Sequence, residues 1–384
     1  MDVKPSFALT AGYLTPRARE EADAFVGPRR KWAEEFSGHI RRIIQSGRTP
    51  KAVIYGPLGV GKTHFLSYIS SGLSDIARIA YVETPPLHRR SRFTDLHNTI
   101  MRKVGRDYSM SLLAKAVSEA GQNSPELYSL LGVDPDMGSI INNGLTSSKS
   151  VLWRYLSGEK LTSGEVREID AVSGQIREDD AALILNMISR LVRKTEKKQF
   201  MLFIDEFENT SSLMGDSQAA FREAIRGIMD ESNETGVVIS NTAREMDDMP
   251  LALTDDSVQR RIGFPNYRLF PEYTPEDLLA LLREIVEFRR DRKADTAKLV
   301  KKAQSTTKEK VSEETFPFTD PALDMAVGTV FELRQLGRTD SARPKEALDL
   351  LDSALALAAE HGALVVETLH LEAAKSRYPL TPKE

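Results

Sequence analysis

The octapeptide Gly56-Pro57-Leu58-Gly59-Val60-Gly61-Lys62-Thr63 follows the spacing G-x-x-x-x-G-K-[ST], which suits the binding of a polyphosphate. Glycines let successive backbone N–H groups close around phosphate oxygens, and a helix opening at the end of the loop adds the partial positive charge of its N-terminus. Lys62 is expected to reach the β- and γ-phosphates of ATP, and Thr63 to give its hydroxyl to Mg2+. Gly56, Pro57, Gly59, Val60, Gly61, Lys62, Thr63 and His64 are therefore the candidate nucleotide-binding residues. A second cluster follows the apolar run Phe200 to Ile204, which ends in Asp205-Glu206. Two carboxylates at the carboxyl end of a buried strand stand where ligands of open α/β sheets bind. Asp205 is the expected Mg2+ partner, and Glu206 the base or positioning group for an attacking water. Alone, such acids read equally as solvated turn residues; together with the loop at Gly56 they read as a hydrolysis pair. A kinase would also need an acceptor pocket, and the sequence identifies none.

These residues need a sheet to position them. Five short apolar runs are expected as buried parallel strands: Ala52 to Tyr55, Arg78 to Val82, Phe200 to Ile204, Gly236 to Ser240 and Tyr267 to Phe270. Helical patterns, such as His64 to Gly72 and Gln218 to Met229, alternate with them, which predicts an α/β class with a five-stranded parallel sheet flanked by helices. From Asp95 to Lys198 the pattern is helical, with Gly121, Pro125, Gly132, Pro135 and Gly144 as breakers. This helical insertion (about 95–198) reads either as a lid-like bundle or as a binding module. Its segment Val151 to Glu159 holds Trp153, which reads equally as core. After Phe270 the chain is all helix. Thr274-Pro275-Glu276-Asp277 is a strong helix start, and Ala322 to Leu336 and Pro344 to His361 are further helices. The charged stretch Arg289 to Glu314 reads as a solvated helix or loop. The expected division is a nucleotide-binding base domain, 1–270, and a helical small (lid) domain, 271–384.

Composition narrows the field. The chain has 384 residues, 41% hydrophobic and 28% charged, in the range of ordinary globular proteins. With no cysteine, disulfides, thiolate metal sites and cysteine nucleophiles are excluded, and a metal would take oxygen ligands. A net charge of −4 from 52 basic and 56 acidic residues means that any nucleic-acid surface must be a local patch. No run approaches the roughly 20 apolar residues of a membrane span, and the opening segment lacks the apolar core of a secretory signal, so a cytoplasmic protein without membrane partners is expected.

The order of phosphate loop, Asp205-Glu206, a strand ending in Ser240-Asn241-Thr242, Gln259-Arg260-Arg261 and a helical tail resembles the AAA+ ATPases, and more narrowly their origin-recognition-type branch. Phe25-Val26-Gly27-Pro28-Arg29 occupies the place of that branch's F-x-G-R-like box, with a proline shifting the pattern. The resemblance implies that Asn241 orients the attacking water. It implies that Arg261, or its neighbour Arg260, is an arginine finger serving the next subunit's nucleotide. In Ser341-Ala342-Arg343-Pro344 it gives Arg343 a γ-phosphate contact, with Arg338 as a weaker candidate. The branch's replication initiators carry a winged-helix domain after the small domain, for which this sequence leaves no room, so sequence-specific origin binding is not expected. Transposon-encoded AAA+ regulators are similar in branch and also lack that domain. The phrase Leu-Trp-Arg-Tyr-Leu-Ser-Gly-Glu ending at Glu159 also looks like phage-defence ATPases.

The implied function is an ATP hydrolase that self-assembles as a ring or filament and acts on duplex DNA to recruit or regulate a partner enzyme in transposition, defence or replication. His88-Arg89-Arg90-Ser91-Arg92 is the local candidate for phosphate contact, although such a loop is more often ordinary solvated surface. The alternative is an ATP-driven signalling or assembly switch acting on a protein partner without DNA. An unfoldase is disfavoured because no aromatic-glycine pore loop follows the second strand.

Overall fold

Strand β3 (Gln199–Asp205) is buried at all seven positions, as its unbroken apolar run requires of a strand covered on both faces. The other strands are β1 (Lys51–Gly56), β2 (Ala77–Glu83), β4 (Gly236–Thr242) and β5 (Tyr267–Leu269). In this computed structural model, which describes residues 7–17, 20–21, 27–122, 124–263, 266–337, 339 and 341–377, they form one parallel sheet in the order β2-β3-β4-β1-β5. β2 and β3 stay in register from Ala77↔Gln199 to Glu83↔Asp205, and β3 and β4 from Met201↔Gly236 to Ile204↔Ile239. Each expected strand is present. The last is shorter than expected: it stops at Leu269, and Phe270 turns into an aromatic cluster with Phe65 and Trp32 at ring distances of 5.3 and 5.2 Å. β5 lies at the sheet edge with only β1 beside it, so burying the Phe270 ring outweighs extending the ladder.

Helix α1 (Arg30–Gln45) precedes β1, and α2 (Lys62–Gly72) follows the phosphate loop. The chain divides into two compact units. One comprises Phe36–Tyr55 and Ile69–Leu269; the other comprises Met1–Glu35, Gly56–Tyr68 and Phe270–Glu384.

The first unit holds the sheet. Between β2 and β3 run seven helices: α3 (Phe93–Val104), α4 (Arg106–Ala120), α5 (Pro125–Leu131), α6 (Pro135–Ser147), α7 (Lys149–Leu156), α8 (Ser163–Glu168) and α9 (Glu178–Glu196). They share one apolar core with the strands, and Trp153 is buried within it. His97 on α3 is fully buried, its Nε2 2.8 Å from the Leu156 carbonyl of α7, and burial pushes its imidazole down to about 4. The Val151–Glu159 phrase thus anchors the insertion's core through Leu152, Trp153 and Leu156, while Arg154 pairs with Glu159 and Glu165. Helices α10 (Gly215–Met229), α11 (Leu251–Thr254) and α12 (Asp256–Ile262) complete this unit.

In the second unit, α13 (Pro275–Arg289) begins with a reciprocal capping box between Thr274 and Asp277. It is followed by α14 (Thr296–Gln304), α15 (Asp320–Gln335), α16 (Pro344–Glu360) and α17 (Thr368–Arg377). Its core is mainly aliphatic, built from Leu278, Leu282, Leu323, Leu351 and Leu355 among others, with Phe7 and Phe318 packed in. The expectation of a solvated stretch from Arg289 is corrected at its first residue. Arg289 is buried, paired with Glu21 at 2.5 and 2.7 Å, and donates to the carbonyls of Leu14 and Thr15; a carboxylate partner together with these carbonyls is what permits burial. Among the described residues no helix is long and apolar enough to cross a membrane.

Candidate phosphate-loop and carboxylate sites

In the loop that follows β1, Gly59 and Gly61 have φ of +78° and +96°, a region that favours glycine. Lys62 is buried and donates from Nζ to the carbonyls of Gly56 and Pro57, each at 2.8 Å. Behind the loop, the buried Arg29 donates to the carbonyls of Val60 and Pro271, with its guanidinium 4.5 and 3.5 Å from the ring centres of Phe270 and Tyr273. Burial pushes its pKa down to about 10. Ser341 Oγ donates to the Leu58 carbonyl at 3.2 Å. Arg343 caps the start of α16 and lays its aliphatic stem on Gly59: a Cβ added there would stand 2.9 Å from Arg343 Cδ. Arg343 Nη1 is 3.6 Å from Glu346 Oε1, while its Nε is buried with no partner among the described residues. Burial pushes the Glu346 carboxyl up, against the pull of Arg343, and pushes the His64 imidazole down.

This arrangement fits a phosphate chain. A Cβ built on Gly61 meets nothing within 4 Å, so the loop backbone has free approach there, and Lys62 and Arg343 supply positive charge within the same unit. Among the described residues no group of three or more His, Asp or Glu stands ready to hold a metal. A divalent ion here would draw most of its ligands from phosphate and water, as Mg2+ does.

At the end of β3, Asp205 is 2% exposed. Its Oδ2 accepts from Tyr81 Oη at 2.7 Å and its Oδ1 from the Glu206 backbone N–H at 3.0 Å. Its carbonyl accepts from Thr84 N and Thr84 Oγ1 at 2.8 and 2.9 Å. A carboxylate offers about four lone-pair sites, so a fixed Asp205 retains acceptor capacity for a hydrated cation. Glu206 is exposed and takes the left-handed conformation, φ +55° and ψ +40°. Its carboxyl is pushed up by partial burial, then by the charges of Glu83, Asp205 and Glu208, which raises its affinity for a proton. The neighbouring strand β4 carries Asn241, fully buried within the strand and not in a turn. Its Nδ2 donates to the Thr242 carbonyl at 3.1 Å, and its Oδ1 has no partner among the described residues.

The two arginines of α12 differ. Arg260 is exposed. Arg261 is held within its own chain, by Asp230 Oδ2 at 3.1 Å and the Ser257 carbonyl at 2.8 Å. It lines a cavity of about 790 Å3 with Arg48, Lys51 and Arg193. His88, Arg89, Arg90 and Arg92 are exposed on the loop between β2 and α3. Phe25, Val26 and Arg338 lie outside the described residues. The sequence reading did not single out Tyr81, Thr84, Glu208 or, as a loop support, Arg29. Tyr81 and Thr84 become visible once β2 is placed beside β3, since the register Tyr81↔Phe203 carries the β2 end to Asp205.

Residues 139–263 match the family of BREX-system ATP-binding proteins BrxC/D. No curated protein matches the chain. Among solved structures, the Aeropyrum pernix ORC2 protein in its ADPNP–ADP complexes superposes with a TM-score of 0.53 at 14% identity, covering 95% of this chain and 72% of that one. Its ADP form gives 0.51 at 15% identity, covering 92% and 70%. Drosophila ORC bound to DNA gives 0.51 at 13%, covering 93% and 64%. The chain therefore shares the fold of these ORC proteins: a five-stranded parallel sheet flanked by helices, followed by a helical C-terminal region.

Proposed function

We propose, from this AAA+ fold as premise, that the chain binds and hydrolyses ATP with Mg2+, assembles with copies of itself when ATP is bound, and acts on duplex DNA to recruit or regulate a partner enzyme in the cytoplasm. Residues 1–270 serve as the nucleotide-binding base and 271–384 as the lid. Gly56, Pro57, Gly59, Val60, Gly61 and His64 line the loop, and Lys62 neutralises the phosphates. Thr63 and Asp205 would hold Mg2+, which would supply charge neutralisation at the phosphates. Glu206 accepts the proton of, or orients, the attacking water, with Asn241 as the second orienting group. Arg343 stabilises charge on the γ-phosphate, and Arg260 or Arg261 does so for a neighbouring subunit.

The observation that carries this reading is the end of β3. There a fixed, buried Asp205 precedes a base candidate whose proton affinity is raised by partial burial and then by surrounding carboxylates. The DNA component draws support from the exposed arginines at 89, 90 and 92 and from the likeness to an ORC solved bound to DNA. Of transposition, defence and replication, the match to BREX-system proteins favours defence.

The test is ATP turnover with and without duplex DNA for the parent, Lys62→Ala and Glu206→Gln. DNA-stimulated turnover, lost in both variants, with Glu206→Gln accumulating large DNA-bound assemblies, is the expected result. Turnover indifferent to DNA, with ATP-dependent self-association intact, would instead support a signalling or assembly switch acting on protein.

A further inference from the structure

Glu208 lies three residues past Asp205, in the short 3-10 helix Phe207–Ser212 that leaves β3, and it grips the end of the next strand with both oxygens. Oε2 accepts from the Thr242 backbone N–H at 2.9 Å, and Oε1 accepts from Thr242 Oγ1 at 2.5 Å. Charge-assisted bonds to two donors of one residue fix direction as well as distance. The β3/β4 register runs only to Ile204↔Ile239. Beyond it, on one side, come Asp205, Glu206 and Glu208; on the other come Ser240, Asn241 and Thr242. The Glu208 clasp joins the two chain ends past the point where that register stops.

What the clasp holds is the carboxamide next to it. Asn241 immediately precedes Thr242, is fully buried, and hangs its amide nitrogen on the Thr242 carbonyl at 3.1 Å. Its Oδ1 is buried without a partner among the described residues. A buried amide oxygen lacking a donor does not hold its own rotamer by hydrogen bonding, so its aim depends on how Thr242 is held. Two residues before Glu208, at the N-cap of the clasped 3-10 helix, stands Glu206.

We infer that Glu208 is a positioning residue for hydrolysis: by clasping Thr242 it fixes the orientation of Asn241 with respect to Glu206, so that the water-orienting amide and the base keep one separation. The inference rests on the ATPase reading above. It makes Glu208 act through Thr242 and Asn241, without touching nucleotide.

Steady-state ATP hydrolysis by the full chain tests it, using Glu208→Gln, Asn241→Ala, the double variant and Thr242→Val. The amide of Glu208→Gln can still accept one bond from Thr242 but offers its other end as a donor, so the two-point grip is lost. Turnover in Glu208→Gln is expected to fall about tenfold with KM for ATP within about twofold, the signature of lost geometry in the transition state. In the Asn241→Ala background the same substitution is expected to cost nothing further, because the group it positions is gone. Thr242→Val removes only Oγ1 and should lower turnover by about threefold; it carries the test if Glu208→Gln does not fold. Unchanged turnover in Glu208→Gln, or losses that multiply in the double variant, would overturn the inference while leaving the ATPase reading intact. A parent without ATP turnover would sink that reading, and the inference with it.

Discussion

Around the phosphate loop the cations are held by main chain and rings: Lys62 by the carbonyls of Gly56 and Pro57, Arg29 by those of Val60 and Pro271 and by two aromatic faces. At the end of β3 the carboxylates are held by side-chain hydroxyls and single amides: Asp205 by Tyr81 and the Glu206 N–H, Glu208 by Thr242. The first region is positive and built on backbone that cannot be exchanged. The second is negative, and the charges of Glu83, Asp205 and Glu208 add to partial burial in raising the Glu206 carboxyl. One region therefore favours an incoming anion, and the other an incoming cation. Substitution should act differently on the two: neutralising a carboxylate relieves repulsion and impairs chemistry, whereas disturbing the loop region impairs binding or folding.

The largest effect expected from this contrast is at Glu206. Glu206→Gln should lower turnover by about a hundredfold while ATP affinity, read by fluorescent-nucleotide titration, stays within about threefold; equal loss of binding and turnover would erase the distinction between the regions. Gly59→Ala strains a position at φ +78° and drives its Cβ to 2.9 Å from Arg343 Cδ. It should weaken ATP binding about tenfold, and Gly59→Ala combined with Arg343→Ala should recover part of the folded stability by making room. For Arg29→Met, loss of two donors to buried carbonyls should reduce stability by about 2 kcal/mol in urea unfolding. The smallest effect is at Glu83. Glu206 has its carboxyl raised, so its basic form is lost at a higher pH than for an ordinary carboxylate. Removing one of the charges that raise it, in Glu83→Gln, should move the acid limb of the pH–rate profile to lower pH.

How far these regions were legible in the sequence follows from their construction. The phosphate loop is contiguous, so Gly59, Gly61 and Lys62 carry their spacing in the chain itself. Strands β1, β3 and β4 were legible because burial on both faces demands unbroken apolar runs, and the partly exposed edge strand β2 through its Ile, Tyr and Val. The end of β5 was not, since Phe270 is as apolar as a strand residue and only the ring cluster with Trp32 and Phe65 takes it off the sheet. Asp205 and Glu206 were legible as a pair, but their supports were not. Tyr81 is 124 residues from Asp205 and Glu208 is 34 from Thr242, and no local period encodes which strand ends will be neighbours. Arg289 misled for a related reason: the charge run in which it sits says nothing of the distant Glu21 that lets it be buried.

Glu206 turns the chain out of β3 in a backbone conformation that costs an L-residue other than glycine roughly 1 kcal/mol. On the proposed reading stability and activity are opposed at this position: a glycine would relax the corner and raise the melting temperature while deleting the proposed base. A directed-evolution campaign scored on heat tolerance alone would therefore discard this carboxylate early. A design that grafts the β3 edge onto another scaffold must supply the strained corner along with the acid.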